Sequence, residues 1–190
     1  MENVFIYFDQ FVVLSPEARN LVLSTVDLIE IKKNTKILSV DSLNKYMYII
    51  KKGLVRGYKS KAGIEITLSL WMENETFGDV TTYITGNPVR KSYEAIEDLE
   101  VYRLNIAKFR ALFQTNLEIC NLGRVIIEQF ILKTELIKDN LRANSAEQKM
   151  EFFLTNRPGL IDRVKLKHIA SYLDIAPETL SRIKHKLVLH

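Results

Sequence analysis

The chain has 190 residues, of which 47% are hydrophobic, and a formal net charge of +4. This length and composition allow a sizeable core and one or two domains. The single cysteine, Cys120, excludes an intramolecular disulfide and a cysteine-ligated zinc or iron–sulfur site within one chain, and it favours a reducing, cytoplasmic location.

The first 30 residues are predicted to be mainly helical. Ser15-Pro16-Glu17 is a typical helix start, and apolar residues from Ala18 to Val26 follow it at helical spacing. The same segment has no basic stretch, which argues against a signal peptide. Since no apolar run in the chain approaches the roughly 20 residues of a membrane span, we expect no membrane association.

From Ile29 to Leu104 the pattern changes to short β-type runs. Turn residues such as Lys52-Gly53 and Ala62-Gly63 separate these runs at a spacing near ten residues. This rhythm predicts a small antiparallel barrel or roll. The predicted strands are residues 29–31, 36–38, 46–50, 54–58, 64–68 and 100–104.

Helical spacing returns at Ile106, and residues 117–141 form a predicted long helix with two apolar faces. Such a helix must be covered on both sides. We expect the roll to cover one face and a second copy of the chain to cover the other, and burial of both faces within a monomer is the alternative. The predicted dimer interface consists of Leu122, Val125, Gln129, Leu132 and Leu136.

The net charge is concentrated at the C-terminal end. Residues 1–140 carry 18 basic and 18 acidic side chains, whereas residues 141–190 carry 9 basic and 5 acidic ones. A basic segment attached to a neutral body is expected where a protein contacts phosphates. A solvated basic face is the alternative interpretation.

Two short helices are predicted within residues 164–190. Leu166, Ile169, Ala170 and Leu173 give the first helix an apolar face, and a break at residues 174–176 follows. In such turns glycine often occupies the position of Asp174, but aspartate also tolerates the left-handed conformation. The pair is typical of a helix-turn-helix, the DNA-binding motif whose second helix enters the major groove.

The second of these helices is predicted to begin at Pro177. Proline suits the first turn, and Glu178 suits the positive end of the helix dipole. Leu180, Ile183 and Leu187 are predicted to face inward. The residues left on the outer surfaces are Thr179, Ser181, Arg182, Lys184, His185 and Lys186.

The order of roll, long helix and helix-turn-helix resembles that of the Crp/Fnr family of bacterial transcription regulators. The resemblance covers almost the whole chain, and its most specific stretch is residues 177–182. It implies an α+β fold with an N-terminal antiparallel β-roll like that of cyclic nucleotide-binding domains, a dimerisation helix and a C-terminal helix-turn-helix. The stretches that carry it are residues 14–17, 48–56, 63–65, 77–79 and 177–182.

The resemblance further implies a sequence-specific DNA-binding regulator with domains at residues 1–116, 117–141 and 142–190. Its expected partners are double-stranded DNA, a second copy of the chain, RNA polymerase and a small-molecule effector. Family members usually continue into a two-stranded wing, whereas this sequence stops at His190. We expect the missing wing contacts to lower the affinity for DNA.

Roles for the outward residues also follow from the resemblance. Glu178 would accept a hydrogen bond from a cytosine amino group, and Arg182 would reach a guanine or a phosphate. The lysines would add attraction that does not depend on sequence. The predicted DNA-binding residues are Lys165, Lys167, Pro177, Glu178, Thr179, Ser181, Arg182, Lys184, His185 and Lys186.

The ligand pocket departs from the family pattern. Cyclic nucleotide-binding members hold the sugar and phosphate with a Gly-Glu pair and, eleven residues after the glycine, an Arg-Ser pair. Here Asp79 replaces the glutamate and Val89 replaces the arginine, with Arg90 one residue too late, and in a strand that shift turns a side chain to the opposite face. The predicted pocket residues are Gly78, Asp79, Val89, Arg90, Thr134 and Glu135.

We therefore expect an empty roll or a ligand other than cyclic AMP. The main alternative function is a cyclic nucleotide or other small-molecule binding module whose C-terminal helices are structural. An enzyme using Asp79, Arg90 and Glu94 is a further alternative, but no nucleophile–base pair or glycine-rich phosphate loop is evident, so we predict no catalysis. All three histidines lie in the C-terminal segment, and we predict no metal and no cofactor.

Overall fold

The computed structural model describes residues 4–143 and 145–188, apart from the side chains of residues 143, 187 and 188. The predicted α+β class is confirmed. The chain divides into two compact units: residues up to Gly57 with Leu70–Gln129, and Tyr58–Ser69 with the residues from Phe130 onward. No helix within the described ranges is long and apolar enough to cross a membrane.

The described residues form nine α-helices and eight strands, which are joined by short connections. The elements are α1 (Phe5–Phe8), α2 (Pro16–Leu23), β1 (Val26–Ile31), β2 (Lys36–Leu38), β3 (Tyr46–Lys52), β4 (Val55–Lys61), β5 (Ile64–Trp71), β6 (Thr76–Phe77), α3 (Val80–Thr85), β7 (Ser92–Ala95), β8 (Leu99–Asn105), α4 (Ile106–Ala111), a 3-10 turn (Leu112–Gln114), α5 (Leu117–Ala143), α6 (Ala146–Asn156), α7 (Leu160–Arg163), α8 (Leu166–Leu173) and α9 (Pro177–Val188).

The strands form two four-stranded sheets, with orders β1-β8-β3-β6 and β2-β7-β4-β5. The β1–β8, β3–β8, β3–β6 and β2–β7 pairs are antiparallel. All six predicted strands are present. The prediction missed β6, β7 and α3, because two to six residues are too few to display a periodicity.

Helix α2 begins as predicted and ends earlier than predicted. The Ser15 hydroxyl accepts a hydrogen bond from the backbone N–H of Ala18, and Pro16 occupies the first position. The helix ends at Leu23, and Val26 is the first residue of β1. The prediction of helix up to about residue 30 is therefore wrong, because β1 pairs along its whole length with β8.

The first part of α5 packs into the core of the first unit. Ile119 and Leu122 are fully buried and Ile126 almost so, at the i, i+3, i+7 spacing of one helix face. Gly123 permits a close approach of Phe113, whose ring would lie 2.5 Å from an added Cβ atom. Assigning Leu122 to the dimer interface is therefore wrong, because the core of its own chain covers this side chain completely.

From Phe130 onward the same helix belongs to the second unit and changes character. Phe130, Ile131, Leu132 and Leu136 are exposed, and Gln129 just before them is also exposed. Val125 is half-buried. Of the predicted interface residues, Gln129, Leu132 and Leu136 thus remain open on the single chain.

Candidate DNA-binding helix pair and ligand pocket

Helix α8 coincides with the first predicted helix of the pair. Ile169, Ala170 and Leu173 are buried, and Asp174 ends the helix in the left-handed conformation, with φ 53° and ψ 54°. The backbone N–H of Ile175 donates to the carbonyl of Ala170 at 3.0 Å. This six-residue bond is typical of helix ends with a left-handed residue, so aspartate performs the role usually given to glycine here.

Helix α9 presents most of its polar residues to solvent. Leu180 and Ile183 are buried, as predicted, whereas the side chain of Leu187 lies outside the described residues. Thr179 and Lys184, which were predicted to face outward, are half-buried. The exposed residues are Pro177, Glu178, Ser181, Arg182, His185 and Lys186.

Neighbouring segments of the second unit brace the helix pair. The ammonium group of Lys149, on α6, lies 3.4 Å from the carbonyl oxygen of Asp174 in the turn. The backbone N–H of Thr67, on β5, donates to the hydroxyl of Ser171 on α8 at 2.9 Å. Lys165 and Lys167, at the start of α8, remain exposed. The outward side of α9 and the start of α8 thus both carry exposed cationic side chains.

The predicted ligand pocket begins at Gly78 and Asp79, and its carboxylate is engaged within the roll. Asp79 is 6% exposed and precedes α3, and one carboxylate oxygen accepts the backbone N–H of Thr82 at 2.9 Å. Its other oxygen lies 3.5 Å from the Tyr93 hydroxyl, which donates to the carbonyl of Gly78 at 2.9 Å. Burial, with the nearby Asp79 charge, raises the pKa of Tyr93 well above its usual value, so this phenol remains a donor.

Val89 and Arg90 differ sharply in exposure. The Val89 side chain is buried in the roll interior, whereas Arg90 is exposed. The premise that both residues lie in a strand is wrong, because β7 begins only at Ser92. The cation at this point of the chain nevertheless lies at the surface, away from the buried side chains.

Aromatic rings pack against one another inside the roll. The Tyr48 and Phe77 rings stack with centroids 4.7 Å apart, and those of Trp71 and Tyr93 with centroids 5.4 Å apart. The Lys91 ammonium lies 5.2 Å from both the Trp71 and the Tyr93 centroid. This cluster is not predicted from the sequence, because among its four rings only Tyr48 lies on one of the predicted strands.

A buried ion pair lies in the same roll. Arg56, on β4, is 3% exposed, and its guanidinium lies 2.6 Å from the carboxylate of Glu94 on β7. The sequence suggests a role for Glu94 only in the alternative enzyme site, and it gives no signal for the pairing of Glu94 with Arg56. The two charges of this pair therefore neutralise each other inside the roll.

Thr134 and Glu135 make contacts along their own helix. The Thr134 hydroxyl donates to the carbonyl of Phe130 at 2.8 Å, and Glu135 forms an exposed ion pair with Lys138. Both belong to the second unit, whereas Gly78, Asp79, Val89 and Arg90 belong to the first. The assignment of Thr134 and Glu135 to a ligand pocket stays a prediction.

Comparison with known proteins identifies the roll and the fold. Residues 28–116 match the family model of the cyclic nucleotide-binding domain. No curated protein sequence matches the chain. The resemblance that the sequence motifs indicated is confirmed by this match together with the solved structures that follow.

Three solved structures illustrate the likeness in fold. FixK2 from Bradyrhizobium japonicum is similar with a TM-score of 0.74 and 20% identity, covering 86% of this chain and 85% of that one. A transcriptional regulator of the Crp/Fnr family from Eubacterium rectale gives 0.69 and 15%, covering 93% and 84%. The c-di-GMP responsive global regulator CLP from Xanthomonas campestris gives 0.67 and 15%, covering 92% of each chain.

Proposed function

We propose that this chain, which resembles Crp/Fnr regulators in its roll and its fold, is a homodimeric, sequence-specific DNA-binding transcription regulator. The observation that carries the proposal is the outward side of α9. Glu178, Ser181, Arg182, His185 and Lys186 are exposed there, while the opposite side of the helix is anchored by buried apolar residues.

The dimensions and chemistry of α9 suit a major groove. Twelve residues give a helix about 18 Å long, and the major groove of B-DNA is about 12 Å wide. No carboxylate follows Glu178 along this helix, so the remaining outward charges are cationic. Arg182 would contact a guanine or a phosphate, and Glu178 a cytosine amino group.

The exposed part of α5 would join two copies of the chain. Leu132, Leu136 and their apolar neighbours are open to solvent on the single chain. A two-fold dimer would place two copies of α9 on half-sites roughly 34 Å apart, one helical turn of DNA. RNA polymerase is the expected downstream partner of such a regulator.

Fluorescence anisotropy on labelled duplexes tests DNA binding. Duplexes enriched from a random pool would supply the probe, and affinity would be measured over a range of salt concentrations. We expect binding to weaken steeply with salt, and Arg182→Ala to cost about 1–3 kcal/mol. Lys108→Ala, at an exposed cation on α4, is the matched control. Binding that does not depend on salt and is unchanged by Arg182→Ala would contradict the proposal.

We further propose that the effector is not cyclic AMP. The Asp79 carboxylate already caps α3, Arg90 is exposed, and stacked aromatic rings pack in the roll interior. A cyclic phosphate inside the roll would thus meet an Asp79 carboxylate that is already bonded to Thr82, and the Arg90 cation lies at the surface. Isothermal titration with cyclic AMP should give no binding heat.

A cyclic nucleotide-binding module with structural C-terminal helices is the second candidate function. The match of residues 28–116 to the cyclic nucleotide-binding domain favours it. The two candidates differ in both assays: a nucleotide module binds cyclic nucleotides in the titration and shows no salt-dependent association with DNA. Measurable binding of cyclic AMP or cyclic GMP, together with no change in anisotropy on the DNA duplexes, would favour this second function.

A further inference from the structure

Three aliphatic side chains of the first compact unit are open to solvent on neighbouring segments. Val40 and Leu43 lie in the connection between β2 and β3 and are 47% and 57% exposed, and Ile84 of α3 is 61% exposed. Single exposed apolar residues are common on protein surfaces, but a group of them framed by polar residues marks a contact with another molecule. The arrangement of the segments therefore decides whether these three form such a group.

Backbone hydrogen bonds join the segments that carry these side chains. The N–H of Asp41 donates to the carbonyl of Val89, and the N–H of Val89 donates to the carbonyl of Ser42, each at 2.9 Å. The connection between β2 and β3 is thus fixed to the residues that follow α3, the helix on which Ile84 lies. The three aliphatic side chains therefore belong to one continuous part of the unit.

The same part of the unit carries exposed cations. The carbonyl of Lys45 accepts the N–H of Ile106, at the start of α4, at 3.1 Å. Arg110, on α4, donates to the carbonyl of Tyr83 on α3 at 3.2 Å, and its guanidinium carbon lies 5.4 Å from the centroid of that ring. Helix α4 is thereby held against both α3 and the β2–β3 connection. The exposed cations on these segments are Lys45, Arg90, Lys108 and Arg110.

These four cations are opposed by one exposed carboxylate. Residues 39–45, 79–91 and 106–111 contain two acidic residues, and Asp79 is buried as the cap of α3, which leaves only Asp41 exposed. The four exposed cations and this carboxylate give a net charge of +3, whereas residues 1–140 as a whole are neutral. Such a local surplus attracts an anionic surface, and it is separate from the cationic side of α9, which belongs to the other unit.

The chemistry of these side chains suits a lipid bilayer better than a protein partner. The centre of a protein interface is typically rich in aromatic residues and poor in lysine. Here Tyr83 is half-buried and Phe109 is buried, and two of the four exposed cations are lysines. Aliphatic side chains surrounded by lysine and arginine are instead typical of proteins that lie on an anionic membrane.

We infer that this part of the roll binds the surface of an anionic lipid bilayer. The aliphatic side chains enter the headgroup layer, and the cations lie beside lipid phosphates. The expectation of no membrane association considered spanning segments only, and surface binding needs no span. The inference goes beyond the proposed function, because it gives the chain a second, reversible binding partner besides DNA. We call the site the α3 surface; it consists of Val40, Leu43, Ile84, Lys45, Arg90, Lys108 and Arg110.

Co-sedimentation of the full chain with lipid vesicles tests the inference. One vesicle contains phosphatidylcholine alone, and the other contains roughly three parts of phosphatidylcholine to one part of phosphatidylglycerol. We expect the chain to bind the second vesicle only, and more weakly as the salt concentration rises. Lys45→Gln with Arg90→Gln should lower the partition coefficient at least about tenfold, because each cation near a charged membrane contributes about fivefold.

A second variant tests the aliphatic side chains. Val40→Ser, Leu43→Ser and Ile84→Ser together keep every charge and should still lower the partition coefficient at least about fivefold. A triple variant that binds the anionic vesicle as tightly as the parent chain overturns the inference. Should the triple variant not fold, Ile84→Ser alone, at the most exposed of the three positions, should lower the coefficient at least about twofold.

Two controls remove the same charge elsewhere. Lys59→Gln with Lys61→Gln, at exposed positions of β4 in the other compact unit, should leave vesicle binding within about twofold of the parent chain. Arg182→Gln with Lys186→Gln removes two cations from α9. If this α9 variant loses as much vesicle binding as the variant at Lys45 and Arg90, the vesicles bind the helix proposed for DNA, and the inference is overturned.

The remaining outcomes keep the inference distinct from the proposed function. A parent chain that binds poly-glutamate but neither vesicle overturns the inference in favour of an acidic protein partner. The variant Lys45→Gln with Arg90→Gln should bind DNA duplexes like the parent chain in the anisotropy assay. Loss of vesicle binding with unchanged DNA binding supports the α3 surface, and the Arg182→Ala measurement decides the proposed function independently.

Discussion

The roll and the C-terminal helix pair both contain polar residues at positions where Crp/Fnr regulators have motif residues, and they use them differently. In the roll, Asp79 is buried, and its carboxylate accepts the N–H of Thr82 and lies beside the Tyr93 hydroxyl. In the helix pair, Glu178 and Arg182 are exposed, and α9 turns apolar side chains inward.

This difference shows why a retained motif residue is not by itself a binding residue. A buried carboxylate must have partners, because leaving it without hydrogen bonds costs more than a bond returns. Because the Asp79 carboxylate caps α3 and lies beside the Tyr93 hydroxyl, its hydrogen bonds stabilise the fold. Glu178 has no such demand placed on it by burial, so it stays open to an external ligand.

The largest expected change in stability distinguishes the buried first part of α5 from its exposed second part. Leu122→Ala should lower the free energy of unfolding by about 3–4 kcal/mol, because it opens a cavity in a fully buried site. Leu132→Ala should leave the monomer within about 0.5 kcal/mol of the parent chain and weaken dimerisation. Urea unfolding at several protein concentrations measures both. Equal effects of the two substitutions on the monomer would contradict this division of the helix.

The buried ion pair in the roll gives the next effect. Arg56→Leu leaves the Glu94 carboxylate without this cation, and we expect a loss of about 2–3 kcal/mol. The figure is below the roughly 3–5 kcal/mol of a fully buried pair because the Glu94 side chain is 20% exposed. Adding Glu94→Leu should restore much of the stability. A double variant no more stable than the single one would argue against a mutually neutralising pair.

Local patterns predicted most elements of this fold. The short β-type runs of β3 and β8, the Ser15-Pro16 start of α2 and the apolar spacing of α8 each reflect forces within a few residues of sequence. The open cationic side of α9 was visible for the same reason, because helical spacing separates Leu180 and Ile183 from the polar residues.

The errors arose where distant residues decide the outcome. Leu122 and Leu132 look alike in sequence, and only packing against the core of the first unit distinguishes them. Since Arg56 and Glu94 are 38 positions apart in sequence, no local pattern predicts that they form a pair. The environment of Asp79 depends in the same way on Tyr93, which lies on β7 and is 14 positions away in sequence.

Paired substitutions at Asp79 and Glu178 test the comparison directly. Asp79→Ala removes the cap of α3 and should cost about 1–2 kcal/mol of stability, without changing which DNA sequences are preferred. Glu178→Ala should cost less than about 1 kcal/mol of stability and relax discrimination at one base pair by about 1–3 kcal/mol. Thermal unfolding and competition with mismatched duplexes measure the two effects. The contrast between the two residues would be contradicted if Asp79→Ala changed the preferred DNA sequence and Glu178→Ala caused the larger loss of stability.

The smallest effect concerns Tyr93 and alkaline pH. Tyr93→Phe removes the hydrogen bond to the Gly78 carbonyl and should cost about 1 kcal/mol near neutral pH. In the folded chain the pKa of Tyr93 is raised by burial, whereas in the unfolded chain tyrosine titrates near pH 10. Above about pH 10 the unfolded state therefore loses a proton that the folded state keeps, and stability falls as the pH rises.

The substitution should consequently reduce the steepness of that fall by up to about 1.4 kcal/mol per pH unit. Some alkaline sensitivity should persist, because burial also raises the pKa values of Tyr7, Tyr48 and Tyr83. Urea unfolding at pH values between about 8 and 11 measures the slope, with Tyr46→Phe, at a half-buried tyrosine of the same roll, as the matched control. If Tyr93→Phe and Tyr46→Phe leave the same slope, the Tyr93 hydroxyl is not held as a neutral donor inside the roll, and the contrast with the open side chains of α9 loses one of its supports.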